Sequence, residues 1–189
     1  MTIAALGDSL TQGYGLVPED GLVPQLSRWL ADEGADVTMI NAGVSGDTTA
    51  GGAARIGWTL TEDVDALIVA LGGNDVLRGV APSEARANLD TILAETTSLG
   101  LPVLLIGISA PGDYGPDYKA EFEAIYPDLA EEYDTLLFAD MLAPIASQGT
   151  GAALAEFMQG DAIHPNAEGV ALIVEAIGPE VLNLVERVD

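Results

Sequence analysis

Apolar and β-branched residues are concentrated in five short runs, and within each run they are nearly continuous rather than alternating with polar residues. The runs span Thr2–Leu6, Val37–Asn41, Ala66–Leu71, Pro102–Ile108 and Thr135–Ala139. Continuous apolar runs of this length are typical of strands that are covered on both faces. The pattern therefore predicts five strands of a buried parallel sheet.

Between and after these runs, apolar residues recur at the spacing of amphipathic helices. Leu22, Leu26 and Leu30, for example, stand at every fourth position. We predict helices over Gly21–Glu33, Ser83–Ser98, Tyr118–Tyr133 and Asn166–Val185. Ser83 and Asn166 are expected to cap the helices that they begin, because their side chains can accept hydrogen bonds from free backbone N–H groups.

Strands that alternate with helices predict an α/β fold, in which helices cover both faces of a parallel sheet. A chain of 189 residues can bury a substantial core, and we expect one domain over residues 1–189. The carboxyl ends of parallel strands meet at one edge, where such sheets bind ligands. Polar, glycine-rich segments fall at this edge: Gly7–Ser9, Asn41–Gly46, Gly72–Asp75, Ser109–Tyr114 and Gly160–Asn166.

The chemistry at this edge depends first on His164, the only histidine of the chain. A lone histidine is more often structural than catalytic, but Asp161 lies three residues earlier. Its carboxylate can hold one imidazole nitrogen and leave the other free as a general base. Cysteine is absent, so the candidate nucleophiles are the serines that follow strands, Ser9, Ser45 and Ser109. Ser9 is preferred because it follows the first strand directly and precedes a glycine-rich turn.

Three groups could stabilise a negative charge on a substrate oxygen: the backbone N–H groups of Ser9 and Gly46, and the side-chain amide of Asn74. Each also has a simpler structural interpretation, since Gly46 fits a strand-to-helix turn and Asn74 fits a helix cap. Their occurrence together at one edge favours the functional interpretation. Asp8 and Asp75 are expected to brace the turns rather than to react.

Other chemistries lack the residues that they need. Zinc requires several histidine or cysteine ligands, and a single histidine is present. The chain contains neither the glycine-rich phosphate loop nor the dinucleotide-binding glycine pattern. It also lacks the Gly-x-Ser-x-Gly motif of the α/β-hydrolases.

Charge and hydropathy restrict the partners. The chain has 30 Asp and Glu but only 6 Lys and Arg, for a net charge of −24. Such a surface repels nucleic acids and anionic membranes, and no apolar run reaches the length of a membrane span. The acidic residues could form an ordinary solvated surface or an adaptation to high salt, and melting temperature against salt concentration distinguishes the two.

The amino terminus bears on localisation. The first strand follows Met1 directly, without a basic segment or a small-residue cleavage site. We therefore expect a cytoplasmic protein, or a periplasmic or secreted one whose leader has been removed.

The segments at the sheet edge resemble those of the SGNH (GDSL-type) hydrolases, and among these the bacterial acyl-CoA thioesterase, lysophospholipase and arylesterase group. The resemblance covers nearly the whole chain, through GDSLTQGYG, NAGVSGDTTAGG, LGGNDVLRG, APGDYGPDY, FEAIYPDLA and GDAIHPNAEG. The four letters of the family name correspond to Ser9, Gly46, Asn74 and His164, and Asp161 corresponds to the acid of the family's catalytic triad.

The resemblance implies a three-layer α/β/α sandwich with a flavodoxin-like, five-stranded parallel sheet of order 2-1-3-4-5. It implies a serine esterase that hydrolyses aryl esters, acyl esters, acyl thioesters or lysophospholipids through an acyl-serine intermediate, without a cofactor. The loop Val76–Val80 would move on acyl binding, and the loop Ala110–Tyr118 would help to wall the acyl groove. The implied substrate-binding residues are Leu77, Arg78, Gly79, Pro111 and Tyr114.

Two alternatives stay open. The same site could serve a carbohydrate O-acetylesterase, which activity on acetylated sugars relative to short aryl esters would distinguish. The chain could also be a binding module that keeps the fold without catalysis, and a burst of p-nitrophenol from an aryl ester would exclude that.

Overall fold

The five apolar runs form one parallel sheet. The structure, a computed structural model, describes residues 1–188, with the side chains of all of these except residues 152 and 153. The strands are β1 (Thr2–Gly7), β2 (Thr38–Gly43), β3 (Ala66–Ala70), β4 (Val103–Ile106) and β5 (Leu136–Phe138). They are all parallel and lie in the order β2-β1-β3-β4-β5. The predicted strand order and three-layer architecture are confirmed.

Helices connect the strands and cover both faces of the sheet. They are α1 (Ser9–Gln12), α2 (Leu22–Asp32), α3 (Thr49–Thr59), α4 (Gly73–Leu77), α5 (Pro82–Ser98), α6 (Pro116–Glu132), α7 (Ala143–Ala146), α8 (Ala152–Ala155) and α9 (Ala167–Glu186). Short 3₁₀ turns lie at Pro18–Asp20 and Gly112–Tyr114. Across residues 1–188, no helix combines the length and the apolar character needed to cross a bilayer.

The four predicted helices correspond to α2, α5, α6 and α9, but one predicted cap is wrong. Helix α5 begins at Pro82, and its N-cap is Ala81, which makes no side-chain capping bond. Proline is favoured at the first helical position because its φ is already helical and its missing N–H would be unpaired there. Ser83 is therefore inside the helix, whereas Asn166 caps α9 as predicted by accepting bonds from the N–H groups of Glu168 and Gly169.

The core is divided by the sheet into two layers. Alternate residues of β1 point to opposite faces, so Ile3 and Ala5 pack beneath α2 and α9. Ala4 and Leu6 pack on the other face, against residues of α3, α5 and α6. Both faces of the strands are therefore buried, which explains why their sequences are continuously apolar.

The strand register brings three strand ends to the same level. Gly7, the last residue of β1, pairs with Gly43 of β2 and with Ala70 of β3. The three strands therefore end side by side, and the segments that follow them begin next to one another. The glycine at position 43 is needed for this packing, since a Cβ there would overlap the backbone of Thr11 and Gln12 in α1.

Helix α9 crosses α2 closely at another glycine. A Cβ on Gly178 would lie 2.6–2.7 Å from three ring atoms of Trp29. Contacts of this kind do not occur in relaxed structures, so the indole ring occupies the space that a side chain would need.

We expect Gly178→Ala to lower the free energy of unfolding. Alanine favours a helix by about 1 kcal/mol over glycine, but overpacking a core contact costs about 1–3 kcal/mol. The matched control is Gly57→Ala in α3, where nothing lies within 4 Å of an added Cβ. Gly57→Ala should raise the melting temperature and Gly178→Ala should lower it, and a Gly178→Ala protein as stable as the wild type would contradict the crossing geometry.

Candidate active site

The turn after β1 presents Ser9. Asp8 is the N-cap of α1, and its Oδ1 accepts a hydrogen bond of 3.0 Å from the backbone N–H of Leu10. Ser9 is the first residue of the helix and is buried, with 8% of its surface exposed. The helix ends after one turn at Gly13, which has a left-handed conformation. Ser9 is thus held at the carboxyl edge of the sheet by a short, capped turn.

The loop before α9 presents His164 and Asp161. Oδ1 of Asp161 accepts hydrogen bonds from the backbone N–H groups of Ile163 (2.9 Å) and His164 (3.0 Å). Oδ2 lies 2.7 Å from Nδ1 of His164, and Nε2 of His164 lies 2.9 Å from Oγ of Ser9. The loop includes Ala162 at a φ of +57°, a left-handed conformation that is unfavourable for alanine. The structure thus brings Ser9, His164 and Asp161 into one hydrogen-bonded row.

The carboxylate of this row remains ionised. The hydrogen bond from His164, with those from the two backbone N–H groups, holds the pKa of Asp161 well below its usual range. An ionised carboxylate on Nδ1 fixes the imidazole tautomer and leaves Nε2 facing the serine hydroxyl. It also stabilises a positive charge that forms on the ring.

The segments after β2 and β3 meet beside Ser9. Gly46 has a φ of +83°, a conformation that favours glycine, and its carbonyl oxygen accepts a 2.7 Å bond from Nη2 of Arg78. Nδ2 of Asn74, in α4, donates to the carbonyl oxygen of Asp47 at 2.9 Å. The Asn74 amide therefore lies next to the chain segment that carries the Gly46 N–H. A longer contact of 3.4 Å joins Nδ2 of Asn74 to Oδ2 of Asp8.

A second buried carboxylate joins α4 to α3. Asp75 accepts a bond of 2.8 Å from the backbone N–H of Thr49 and one of 2.6 Å from its hydroxyl. The same hydroxyl accepts a bond of 3.0 Å from Asn88 in α5. The segment between β2 and α3 is further held by Asp47, which pairs with Arg55 at 2.7 Å. The end of this segment that leads into α3 is therefore fixed next to Asn74.

The two predicted substrate-binding segments lie against each other. The ring of Tyr114 lies so close to Gly79 that a Cβ there would be 3.0 Å from the ring, and the hydroxyl of Tyr118 donates to the carbonyl oxygen of Val80 at 2.9 Å. Leu77, Arg78, Pro111 and Tyr114 are exposed. The segment Val76–Val80 is not wholly a loop, however, because α4 continues through Leu77.

The other candidate serines do not contact the histidine. Ser109 donates its hydroxyl to Oδ2 of Asp140 at 2.7 Å, and Ser45 is exposed in the segment after β2. Ser9 is the serine whose hydroxyl the structure brings to His164. Within residues 1–188, no group of three His, Cys, Asp or Glu side chains is arranged to hold a metal ion.

Several residues at the site were not predicted from the sequence. The ring of Tyr14 lies on the imidazole of His164, with 4.7 Å between ring centroids. Gln159 contacts both the turn after Ser9 and the loop of His164. A cavity of about 10 Å³, about the space of one water, is lined by Ser9 and His164 and by apolar residues that include Leu16, Leu22, Met141, Val170 and Ile173. The spacing of glycines around Tyr14 is the only sequence signal for any of these.

Comparisons with known proteins show which proteins the chain is similar to. Residues 5–172 match the GDSL-like lipase/acylhydrolase family. The chain is 39% identical over 179 residues to esterase TesA of Pseudomonas aeruginosa, covering 94% of this chain and 86% of the relative. It is 34% identical over 181 residues to an arylesterase of Vibrio mimicus, covering 95% and 88%. The crystal structure of AlinE4, an SGNH-hydrolase family esterase, superposes with a TM-score of 0.79 at 42% identity, over 96% of this chain and 95% of that one.

At the carboxyl edge of the parallel sheet lies a hydrogen-bonded row of serine, histidine and aspartate. Together with the similarity to these esterases, this fold and this site define the protein as a serine hydrolase that acts on carboxylic esters. The chain belongs to the GDSL-like lipase/acylhydrolase family.

The surroundings of Asp8 disfavour the charged form of its carboxyl group. It is 4% exposed, and burial raises its pKa from 3.8 to about 6, despite the opposing effects of the Leu10 N–H, His164 and Asn74. Because the folded protein binds this proton more tightly than the unfolded chain, ionising Asp8 destabilises the fold. The stability associated with the protonated form is fully present below about pH 4 and is lost as the pH rises through about 6.

We expect the Asp8→Asn protein to gain stability relative to the wild type as the pH rises. A pKa raised from 3.8 to about 6 corresponds to about 3 kcal/mol at about 1.36 kcal/mol per pKa unit. The amide cannot replace both acceptor oxygens, so the variant starts with a constant loss that does not depend on pH. Urea unfolding of both proteins between pH 4 and 7 measures the difference in the free energy of unfolding. A difference that stays constant over this range would show that burial does not raise the pKa of Asp8.

Proposed function

We propose that Ser9 is the nucleophile of ester hydrolysis, with His164 as general base and Asp161 as the group that orients it. The observation that carries this proposal is the 2.9 Å contact between Oγ of Ser9 and Nε2 of His164, with Asp161 2.7 Å from the other ring nitrogen. Oγ forms a bond to the acyl carbon while its proton passes to Nε2. His164 then gives this proton to the leaving oxygen as the ester bond breaks.

The second half of the reaction uses the same groups. Water attacks the acyl-serine, and its proton passes to Nε2 of His164. The bond between the acyl carbon and Oγ then breaks, and Oγ recovers a proton from the imidazolium. Acid and free serine are the products, and no step needs a cofactor.

The negative oxygen of each tetrahedral intermediate would accept hydrogen bonds from the backbone N–H groups of Ser9 and Gly46 and from Nδ2 of Asn74. An amide nitrogen carries two hydrogens, and the short bond to Asp47 occupies one of those on Asn74. The contact to Asp8 is long at 3.4 Å, so the second hydrogen has a weak partner. Donors that gain a strong partner only in the transition state contribute most to rate.

The acyl or aryl group would lie on the outer surface of the site rather than in the cavity that Ser9 and His164 line. This cavity has room for about one water. By contrast, exposed apolar side chains lie on the segments around the site: Tyr14, Val44, Leu77, Tyr114 and Ile163. We propose that Leu77, Arg78, Gly79, Pro111 and Tyr114 contact the substrate, and that small aryl and acyl esters are hydrolysed. The charge of −24 makes nucleic acids unfavourable partners.

Ser9→Ala should abolish turnover of p-nitrophenyl esters and leave the fold intact. Loss of the nucleophile of a triad lowers kcat by about 10⁶, whereas removal of one hydroxyl at the sheet edge removes little packing. The measurement is p-nitrophenol release over an acyl series from acetyl to palmitoyl, with an acyl-CoA and an acetylated sugar in parallel.

The matched control is Ser109→Ala, a serine that also follows a strand but donates its hydroxyl to Asp140. It should keep wild-type turnover. A Ser9→Ala protein that retains more than about a tenth of the activity would mean that another serine is the nucleophile. A preference for the acetylated sugar over every p-nitrophenyl ester would instead support an O-acetylesterase.

Asn74→Ala should lower kcat by about 10²–10³ with little change in KM. Removing one donor to the oxyanion has an effect of this size because its bond forms mainly in the transition state. Steady-state kinetics with p-nitrophenyl butyrate measure both constants. An increase in KM at unchanged kcat would make Asn74 a residue that binds the substrate rather than the oxyanion.

A further inference from the structure

One glutamine side chain joins the two segments that carry the proposed nucleophile and base. Nε2 of Gln159 donates to the carbonyl oxygen of Tyr14 at 2.8 Å and to that of Pro165 at 2.9 Å. Its backbone N–H donates to the carbonyl oxygen of His164 at 2.7 Å. Resting on the proposed function, we propose that Gln159 is a positioning residue that sets the contact between Ser9 and His164.

The connection between these segments is sparse. Among residues 1–188, two hydrogen bonds join the turn 8–16 to the segment 156–166. One is the contact between Ser9 and His164, and the other is the bond from Gln159 to Tyr14. Apart from the contact between nucleophile and base themselves, the bond from Gln159 is therefore the hydrogen bond that relates the positions of these two segments.

The turn needs such a connection because glycines flank Tyr14. Gly13 and Gly15 have φ values of +87° and +76°, and residues without a Cβ restrict the backbone least. Gln159 holds the Tyr14 carbonyl, and the Tyr14 ring lies on His164 at a centroid distance of 4.7 Å. The side-chain amide of Gln159 thus holds the carbonyl groups of Tyr14 and Pro165, one on each of the two segments, and Tyr14 is also the residue whose ring lies on His164.

The residue type follows from the same contacts. Both hydrogens of Nε2 are used, and both acceptors are backbone carbonyls. A glutamate of the same length would place its carboxylate oxygens, which are acceptors, next to two carbonyl oxygens. A methionine would have no hydrogen-bond donor. The space is also limited, since a Cβ on Gly15 would overlap Oε1 of Gln159.

The test compares Gln159→Met with Gln25→Met. Gln25 makes the same kind of double bond, with Nε2 donating to the carbonyl oxygens of Asp20 (2.8 Å) and Ala167 (3.0 Å), but it joins segments that carry neither Ser9 nor His164. Both variants should lose similar melting temperature. Gln159→Met should lower kcat on p-nitrophenyl butyrate by about 10- to 100-fold, because a small misplacement of reacting groups has an effect of this order. Its KM should stay within about two-fold, and Gln25→Met should keep wild-type kcat.

A kcat for Gln159→Met within about two-fold of the wild type would overturn the proposal, and so would an equal loss in Gln25→Met. Wild-type protein without any esterase turnover would contradict the proposed function instead.

Discussion

The parallel pairing of β1 with both β2 and β3 is the constraint on which the site depends. Because Gly7 is level with Gly43 and Ala70, the segments that carry Ser9, Gly46 and Asn74 leave the sheet at one height. A shift of one residue in either register would move a segment along the sheet by about 3.3 Å, more than the tolerance of a hydrogen bond. The apolar residues on both faces prevent this shift, since a slipped strand would exchange its two buried faces. The core thus sets the geometry of the site.

Glycines around the site allow segments to approach more closely than side chains would permit. A Cβ on Gly7 would overlap Thr11, and one on Gly52 would overlap Leu71. Glycine destabilises strands and helices by about 0.5–1 kcal/mol per position. The chain accepts this loss where α1 and α3 must lie against the strand ends, because the close approach brings the N-cap of α1, Asp8, to Asn74 and the first residue of α3, Thr49, to Asp75. These glycines therefore make α3 and the end of β1 less stable but allow the segments of the site to lie close together.

The same glycines explain what could be predicted from the sequence and what could not. The strands were predictable because burial on both faces makes their sequences continuously apolar. The candidate site residues were predicted because the family motifs coincide with the strand ends. Helix α3 was not predicted, since Gly51, Gly52 and Gly57 lower its helix propensity, and it is stabilised by packing against α5 and β1. Gln159 could not be identified either. Its partners are backbone carbonyls, which every residue has, and one of them is 145 residues away.

The charges of the proposed mechanism clarify why Asp8 is tolerated beside Ser9. Transfer of the serine proton creates an imidazolium and an oxyanion together, so the reacting pair gains no net charge. Asp8 attracts the first and repels the second, and these effects largely cancel when the distances are similar. Asp161 contacts the imidazole ring directly at 2.7 Å, on the side away from Ser9, so its attraction for the imidazolium exceeds its repulsion of the more distant oxyanion. The two carboxylates have opposite pKa shifts, because Asp161 accepts hydrogen bonds from His164 and from two backbone N–H groups whereas Asp8 is buried. The charge of Asp8 therefore has little net effect on the proton transfer. Its two oxygens serve as acceptors, because one holds the turn of Ser9 and the other faces the amide of Asn74.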